Sequence, residues 1–203
     1  EDLARSGEKE VDFILGKKFL ITVRYEIIDP LHKFAKLFEK NSLGSNEKMM
    51  NHSGYVFMEM MKQFYENSIY ELEQVNEKLK DIEDRIFKNQ EELMVKEISK
   101  TGRKLLDFKQ SIRFHQEILK SYETSSENFF GQEYGYYASI ITSEFNKVNG
   151  LLENNRDTLA ELQRTNDSML STKQSSIMKK FTIISFVTFP LMLVTGIFGM
   201  NTV

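Results

Sequence analysis

Apolar positions change their rhythm three times along the chain, and each rhythm predicts a different element. Val11-Asp12-Phe13-Ile14-Leu15 and Phe19-Leu20-Ile21-Thr22-Val23-Arg24 are β-branched and aromatic runs separated by Gly16-Lys17-Lys18, which predicts a hairpin. A lone hairpin is marginal in water, so its sheet is expected to have further strands on the N-terminal side. Asp29 before Pro30 predicts a helix start, after which Leu31, Phe34, Leu37 and Phe38 fall on one face. From about Glu47 the spacing becomes that of a coiled coil: Leu72, Val75, Leu79, Ile82 and Ile86 alternate steps of three and four. Lys88-Asn89-Gln90 reads as a hairpin tip. A second helix follows on Ile98, Leu105, Ile112 and Leu119, with Met94, Phe108, His115 and Tyr122 beside them. The polar, glycine-containing stretch Ser121 to Gly135 is expected to separate it from a third helix carrying Ile141, Phe145, Val148, Leu152, Leu159 and Leu162.

The last rhythm is no rhythm at all. Phe181 to Val203 carries no charge and consists mostly of Phe, Ile, Val, Leu and Met, which at about 1.5 Å per helical residue is long enough to cross a hydrocarbon core of about 30 Å. Lys173, Lys179 and Lys180 precede the run, and no Lys or Arg follows it in this sequence. That bias predicts a cytoplasmic N-terminal part and an Asn201 on the outer side. Between the heptads and the run, Gln163 to Ser176 replaces apolar positions with Arg164, Asn166, Asp167, Thr172 and Gln174, without a proline to end the helix. Such a segment needs water on one face. It suits either a wet vestibule or a juxtamembrane linker.

Composition narrows the class. With 40% hydrophobic and 28% charged residues, the chain is an ordinary soluble composition with one apolar segment attached. A net charge of −3 gives no basic footprint, so no nucleic-acid partner is expected. The absence of cysteine removes disulfides and thiolate metal sites. The charged start, Glu1 to Glu10, does not read as a signal peptide, and since the first residue is not Met the chain is expected to be a segment of a longer protein.

Gly199-Met200-Asn201 at the far end of the apolar helix resembles the signature loop of the CorA family of divalent-cation channels. The resemblance extends back through Met178-Lys179-Lys180-Phe181-Thr182-Ile183-Ile184, Pro190-Leu191 and Gly196-Ile197-Phe198. It implies a mainly α fold: residues 1–46 as the end of a cytoplasmic α/β domain, 47–123 as two antiparallel coiled-coil helices, 124–180 as a stalk helix and vestibule, 181–198 as the first membrane helix and 199–203 as the outer mouth. A second membrane helix is expected beyond Val203. It also implies a homopentamer in the cell (inner) membrane, since one span cannot enclose a pore, with the lipid bilayer and divalent cations as its other partners.

Positions Ser175, Met178, Thr182, Ser185, Phe189, Met192 and Gly196 step by three and four. A stripe of small and hydroxyl residues more often serves helix packing than a pore, and the resemblance shifts the reading to the pore. Carried across, Met178 and Phe189 match the family's hydrophobic constrictions and Gly196 a widening near the outer mouth. Ser175 stands where many members have an asparagine, which leaves a weaker polar ring. Gly199, Met200 and Asn201 would form the selectivity filter. The chemistry fits Mg²⁺, which holds six oxygens near 2.1 Å and loses water slowly, so a fast path grips the hydrated ion through its outer shell. The Asn201 amide oxygen and freed carbonyls accept hydrogen bonds from those waters and, being neutral, let the ion leave. Transport would be passive, because an inside-negative potential contributes about 4.6 kcal/mol per 100 mV for a divalent cation.

The cargo is expected to be Mg²⁺, with Co²⁺ or Ni²⁺ as further candidates. Two rival readings are a zinc-transporting ZntB-like protein, which differs at the mouth loop, and a coiled-coil structural protein with one membrane anchor. The family also holds regulatory Mg²⁺ or Co²⁺ between subunits. The aligned helix position is Ile140, which is not a carboxylate, and Glu133 and Glu144 are the nearest substitutes. The acidic run Glu71, Glu73, Glu77, Asp81, Glu83 and Asp84 reads as a solvated face. Met49, Met50, Met58, Met60 and Met61 read as adaptable packing. His32, His52 and His115 are too scattered for a zinc site. No nucleophile–base pair, phosphate loop or acid pair is present in the sequence, so no enzyme activity is expected.

Overall fold

A computed structural model describes residues 11–24, 29–42 and 52–199. Strands β1 (Val11–Leu15) and β2 (Leu20–Arg24) pair antiparallel with Leu15 opposite Leu20. The Gly16 N–H closes the turn on the Phe19 carbonyl at 2.9 Å. Helix α1 (Asp29–Ser42) starts at the Asp-Pro pair and buries Leu31, with Phe34 and Phe38 stacked at 6.0 Å. The Leu37 side chain lies outside the described residues, as does the expected loop Asn41 to Asn46 beyond Ser42. Among the described residues the sheet has two strands, and the outer element it leans on is α2.

The long helices are α2 (Ser53–Phe87), α3 (Glu91–Ile112), α4 (His115–Phe130) and α5 (Glu133–Gly199). His52 caps α2 by accepting the Gly54 N–H on Nδ1 at 3.2 Å. The tip falls at Lys88 to Gln90, where Asn89 takes a left-handed φ of 63°, a conformation that asparagine adopts more readily than most residues. His52 stacks against Tyr134 at one end, and Glu91 pairs with Lys173 at the other. Thus α2 runs parallel to α5, and α3 and α4 return alongside them. The fold is mainly α, as expected.

Three expectations change. The second helix breaks at Arg113–Phe114 rather than running through to Tyr122, and the stretch Ser121 to Gly135 is helical, except for the two-residue turn Gly131–Gln132. The reason is amphipathic: Leu119 and Ser126 are buried, Tyr122 lies edge-on to Phe57 at 5.2 Å, and no proline interrupts them. Gly131, at φ 110°, makes the actual stop. The stalk helix therefore begins at Glu133.

Next, the stripe Ile141, Phe145, Val148, Leu152, Leu159 and Leu162, whose heptad spacing also suits a contact between subunits of the expected homopentamer, is interior to one chain. It packs chiefly on α2, with α4 and α3 covering its two ends. Leu72, Ile82, Ile86, Met94, Ile141, Val148 and Leu152 are fully buried. Because this seam is already filled, it is not free to join subunits. Finally, the seam does not stop at Gln163. It continues through Asn166, which is buried, and Met169, which is half-buried. A second polar member, Asn155, sits inside it and donates from Nδ2 to the Leu72 carbonyl at 2.8 Å. The apolar pattern leaves Asn155 out and takes Asn166 as part of a wet segment, because a buried amide looks like a gap in an apolar repeat.

Candidate ion-conduction site

Helix α5 is unbroken over 67 residues, through Pro190, a length of about 100 Å. A proline there removes one N–H and crowds the preceding turn, yet the helix continues to Gly199. Ser175, Met178, Thr182, Ser185, Phe189, Met192 and Gly196 thus share one continuous face, and the 21 steps from the first to the last cover about 32 Å. Every residue from Ser171 to Gly199 is exposed in the single chain. Phe186 and Phe198 are 80% and 85% exposed. Apolar surface of that extent on an isolated helix requires lipid or other protein around it. Among the described residues α5 is the one helix long and apolar enough to cross a membrane.

The stripe and the packed seam lie on opposite sides of α5. At about 100° per residue, Leu159, Leu162, Asn166, Met169 and Lys173 centre about 160° away from Ser175, Met178, Thr182 and Ser185. The bundle α2–α3–α4 therefore flanks α5 from behind, and the stripe faces away from it. Within the stripe, the Thr182 hydroxyl donates to the Met178 carbonyl at 3.0 Å. Its proton is thereby committed to the helix and its lone pairs point outward, the orientation suited to the hydrogens of a hydrated cation. Thr195 makes the equivalent bond to Met192 at 3.0 Å. Gly196 opens a shallow groove between Phe189, Met192, Leu193 and Ile197. Among the described residues a Cβ on Gly196 or Gly199 would meet nothing within 4 Å. Met200 and Asn201 lie outside the described residues.

Behind the stripe, helices α3 and α4 and their neighbour α2 hold α5 by named contacts. Lys173 reaches Glu91 at 2.9 Å and Glu92 at 3.2 Å. The ammonium holds the Glu91 carboxyl below its ordinary value, and the carboxylates in turn raise Lys173. Sequence reading used Lys173 only as topogenic charge and did not single out Glu91. Further down, Lys109 bridges Glu153 at 2.9 Å, and Tyr65 meets His115 Nδ1 at 3.0 Å beside Phe145. Burial lowers His115 and raises Tyr65, and it pushes Tyr122 up to about 12. Glu133 is exposed in the first turn of α5, whereas Glu144 pairs with Lys147 at 2.7 Å. Eleven residues part the two on one helix, about 16 Å, so they do not meet within a chain. Among the described residues no three His, Cys, Asp or Glu side chains are grouped to hold a metal.

A family model for CorA-like Mg²⁺ transporter proteins matches residues 2–203. The chain belongs to this family. Relatives include a Bacillus subtilis (strain 168) protein described as a metal ion transporter, YfjQ, 25% identical over 198 residues, which cover 95% of this chain and 59% of that protein. The cobalt/magnesium transport protein CorA of Thermotoga maritima is 21% identical over 201 residues, 99% of this chain and 56% of its own length. The chain thus spans somewhat over half the length of these curated relatives. Membership in the CorA-like family gives the projecting apolar helix of α5 a membrane setting.

Proposed function

We propose that this chain forms the cytoplasmic stalk and first membrane helix of a channel for hydrated divalent cations, with Mg²⁺ as the preferred cargo. The observation that carries the reading is the continuous face of α5 from Ser175 to Gly196, turned away from the seam that α2, α3 and α4 fill. Helices packed from behind leave that face for a central axis, and the arrangement closes into a pore only as a ring. A homopentamer is the assembly proposed. Flow is passive and inward down the membrane potential, with the N-terminal part cytoplasmic and Gly199-Met200-Asn201 at the outer mouth.

Met178 and Phe189 form the hydrophobic constrictions, Ser175, Thr182 and Ser185 the polar rings between and below them, and Asn201 with Gly199 and Met200 the filter for the hydrated ion. Regulatory Mg²⁺ or Co²⁺ would have to bridge subunits. Glu133 is the more available carboxylate, because Glu144 already holds Lys147. No catalytic role is proposed.

The test is Asn201→Ala in the full-length protein of which this chain is part, reconstituted in liposomes. The substitution removes the side-chain acceptor while keeping the length and hydrophobicity of the span. Assembly survives and Mg²⁺ flux per pentamer collapses. Wild-type flux in a correctly assembled variant would make the tripeptide only the end of a helix. Parallel uptake of Mg²⁺, Co²⁺, Ni²⁺ and Zn²⁺ by the wild type decides between the magnesium and zinc readings.

A further inference from the structure

Along the axis of α5, the packed seam ends at Lys173 and the stripe on the opposite side begins two residues later, at Ser175. Below Lys173 the seam is closed: Asn166 is buried, and Met169 and Leu170 are half-buried. Above it, α5 is exposed to its end, and the Lys173 ammonium makes the outermost polar contact between α5 and another element among the described residues. Its partners Glu91 and Glu92 open α3 directly after the hairpin tip. The two glutamates are not equivalent. The Glu92 side chain is 70% exposed, whereas that of Glu91 is 3% exposed, and its second oxygen is buried without a hydrogen-bond partner. A carboxylate in that setting is held ionised by its counter-ion rather than by water. The anchor beneath it is rigid, since Ile86 and Met94 on either side of the tip are fully buried.

We propose that Glu91 is a positioning residue of the ion pathway: by holding Lys173 it fixes the rotation of α5 about its axis, and so which side chains face the pore. The inference rests on the channel reading above. Five residues separate Lys173 from Met178, about 7.5 Å along the axis and about 140° around it. A continuous helix transmits rotation, so a turn at Lys173 appears at Met178, Thr182 and Ser185. Without the pair, the nearest buried position holding α5 is Asn166, two turns further from the apolar run. A drift of half a residue spacing there, about 50°, would carry Met178 off the axis and bring flanking side chains toward it.

The experiment uses full-length protein in liposomes and reads two quantities per assembled pentamer. One is Mg²⁺ flux. The other is the rate at which single cysteines, Met178→Cys on the stripe and Ile177→Cys beside it, react with a water-soluble thiol reagent. Glu91→Gln and Lys173→Met each change flux and the 178-to-177 reactivity ratio by about threefold or more, and the double variant stays within about twofold of either single, as two members of one interaction must. A residue that only supported folding would lower the yield or thermal stability of the pentamer and leave the ratio alone. Either single variant at wild-type flux and ratio, or a double variant whose change is the product of the two singles, overturns the proposal. A wild type with no flux and equal reactivity at both positions overturns the channel reading itself, and this inference with it.

Discussion

Replacing Asn155 by leucine should stabilise the protein, although it deletes a well-formed hydrogen bond. Asn155 is fully buried in the α2–α5 seam, where Nδ2 donates to the Leu72 carbonyl at 2.8 Å and Oδ1 has no partner. The carbonyl it serves lies inside α2 and keeps its own helical bond, so losing the amide costs about 1 kcal/mol. Against this stand the removal of an orphaned buried oxygen, about 1–3 kcal/mol, and the burial of an apolar side chain with the same number of heavy atoms, about 2 kcal/mol. The wider methyl groups return about 1 kcal/mol as crowding. The net is a gain of about 2 kcal/mol, which for a chain of this size raises Tm by about 4–8 °C. Asn155→Ala is the control, because it also removes the orphaned oxygen but loses the same bond and leaves a void, so it should melt well below Asn155→Leu. Circular dichroism at 222 nm on the detergent-solubilised protein reads both. A fall in Tm for Asn155→Leu would show that Oδ1 is satisfied after all, by a buried water, and that the amide is a net source of stability.

Three further outcomes are expected. Burial keeps His115 neutral by lowering its pKa, so the unfolded chain binds the extra proton; stability is full above about pH 6.5 and falls between there and the depressed folded value. Thermal melts from pH 7 to 5.5 should therefore slope downward, and His115→Phe should flatten that slope. Met178→Ser places a hydroxyl where water is excluded and should raise basal Mg²⁺ flux in liposomes without loss of the pentamer; unchanged or lower flux in assembled protein would remove Met178 as a constriction. Gly199→Ala fits among the described residues, since its Cβ would meet nothing within 4 Å there. Any loss of flux then reports on the mouth of the assembled ring, and a wild-type rate would free Gly199 from the filter.

Periodicity alone determined the hairpin, the start of α1 at Asp29-Pro30, the tip at Lys88 to Gln90 and the uncharged run. These are local properties: turn chemistry, capping and the 3.5-residue repeat act over a few neighbours and need no knowledge of the rest of the chain. The shared face of the stripe from Ser175 to Gly196 was legible for the same reason, since a continuous helix fixes which residues lie together; Gly199-Met200-Asn201 was singled out by family resemblance instead, and Met200 and Asn201 lie outside the described residues. What packs on that face was not. Only the tertiary structure turned the Ile141–Leu162 stripe inward on α2, extended α4 through Ser121 to Phe130, and showed Asn155 and Asn166 as buried members of the seam rather than interruptions. It also joined Glu91 to Lys173 across 82 positions of sequence. Each of these depends on which surfaces meet, and a polar side chain reads as solvated until a partner helix closes over it.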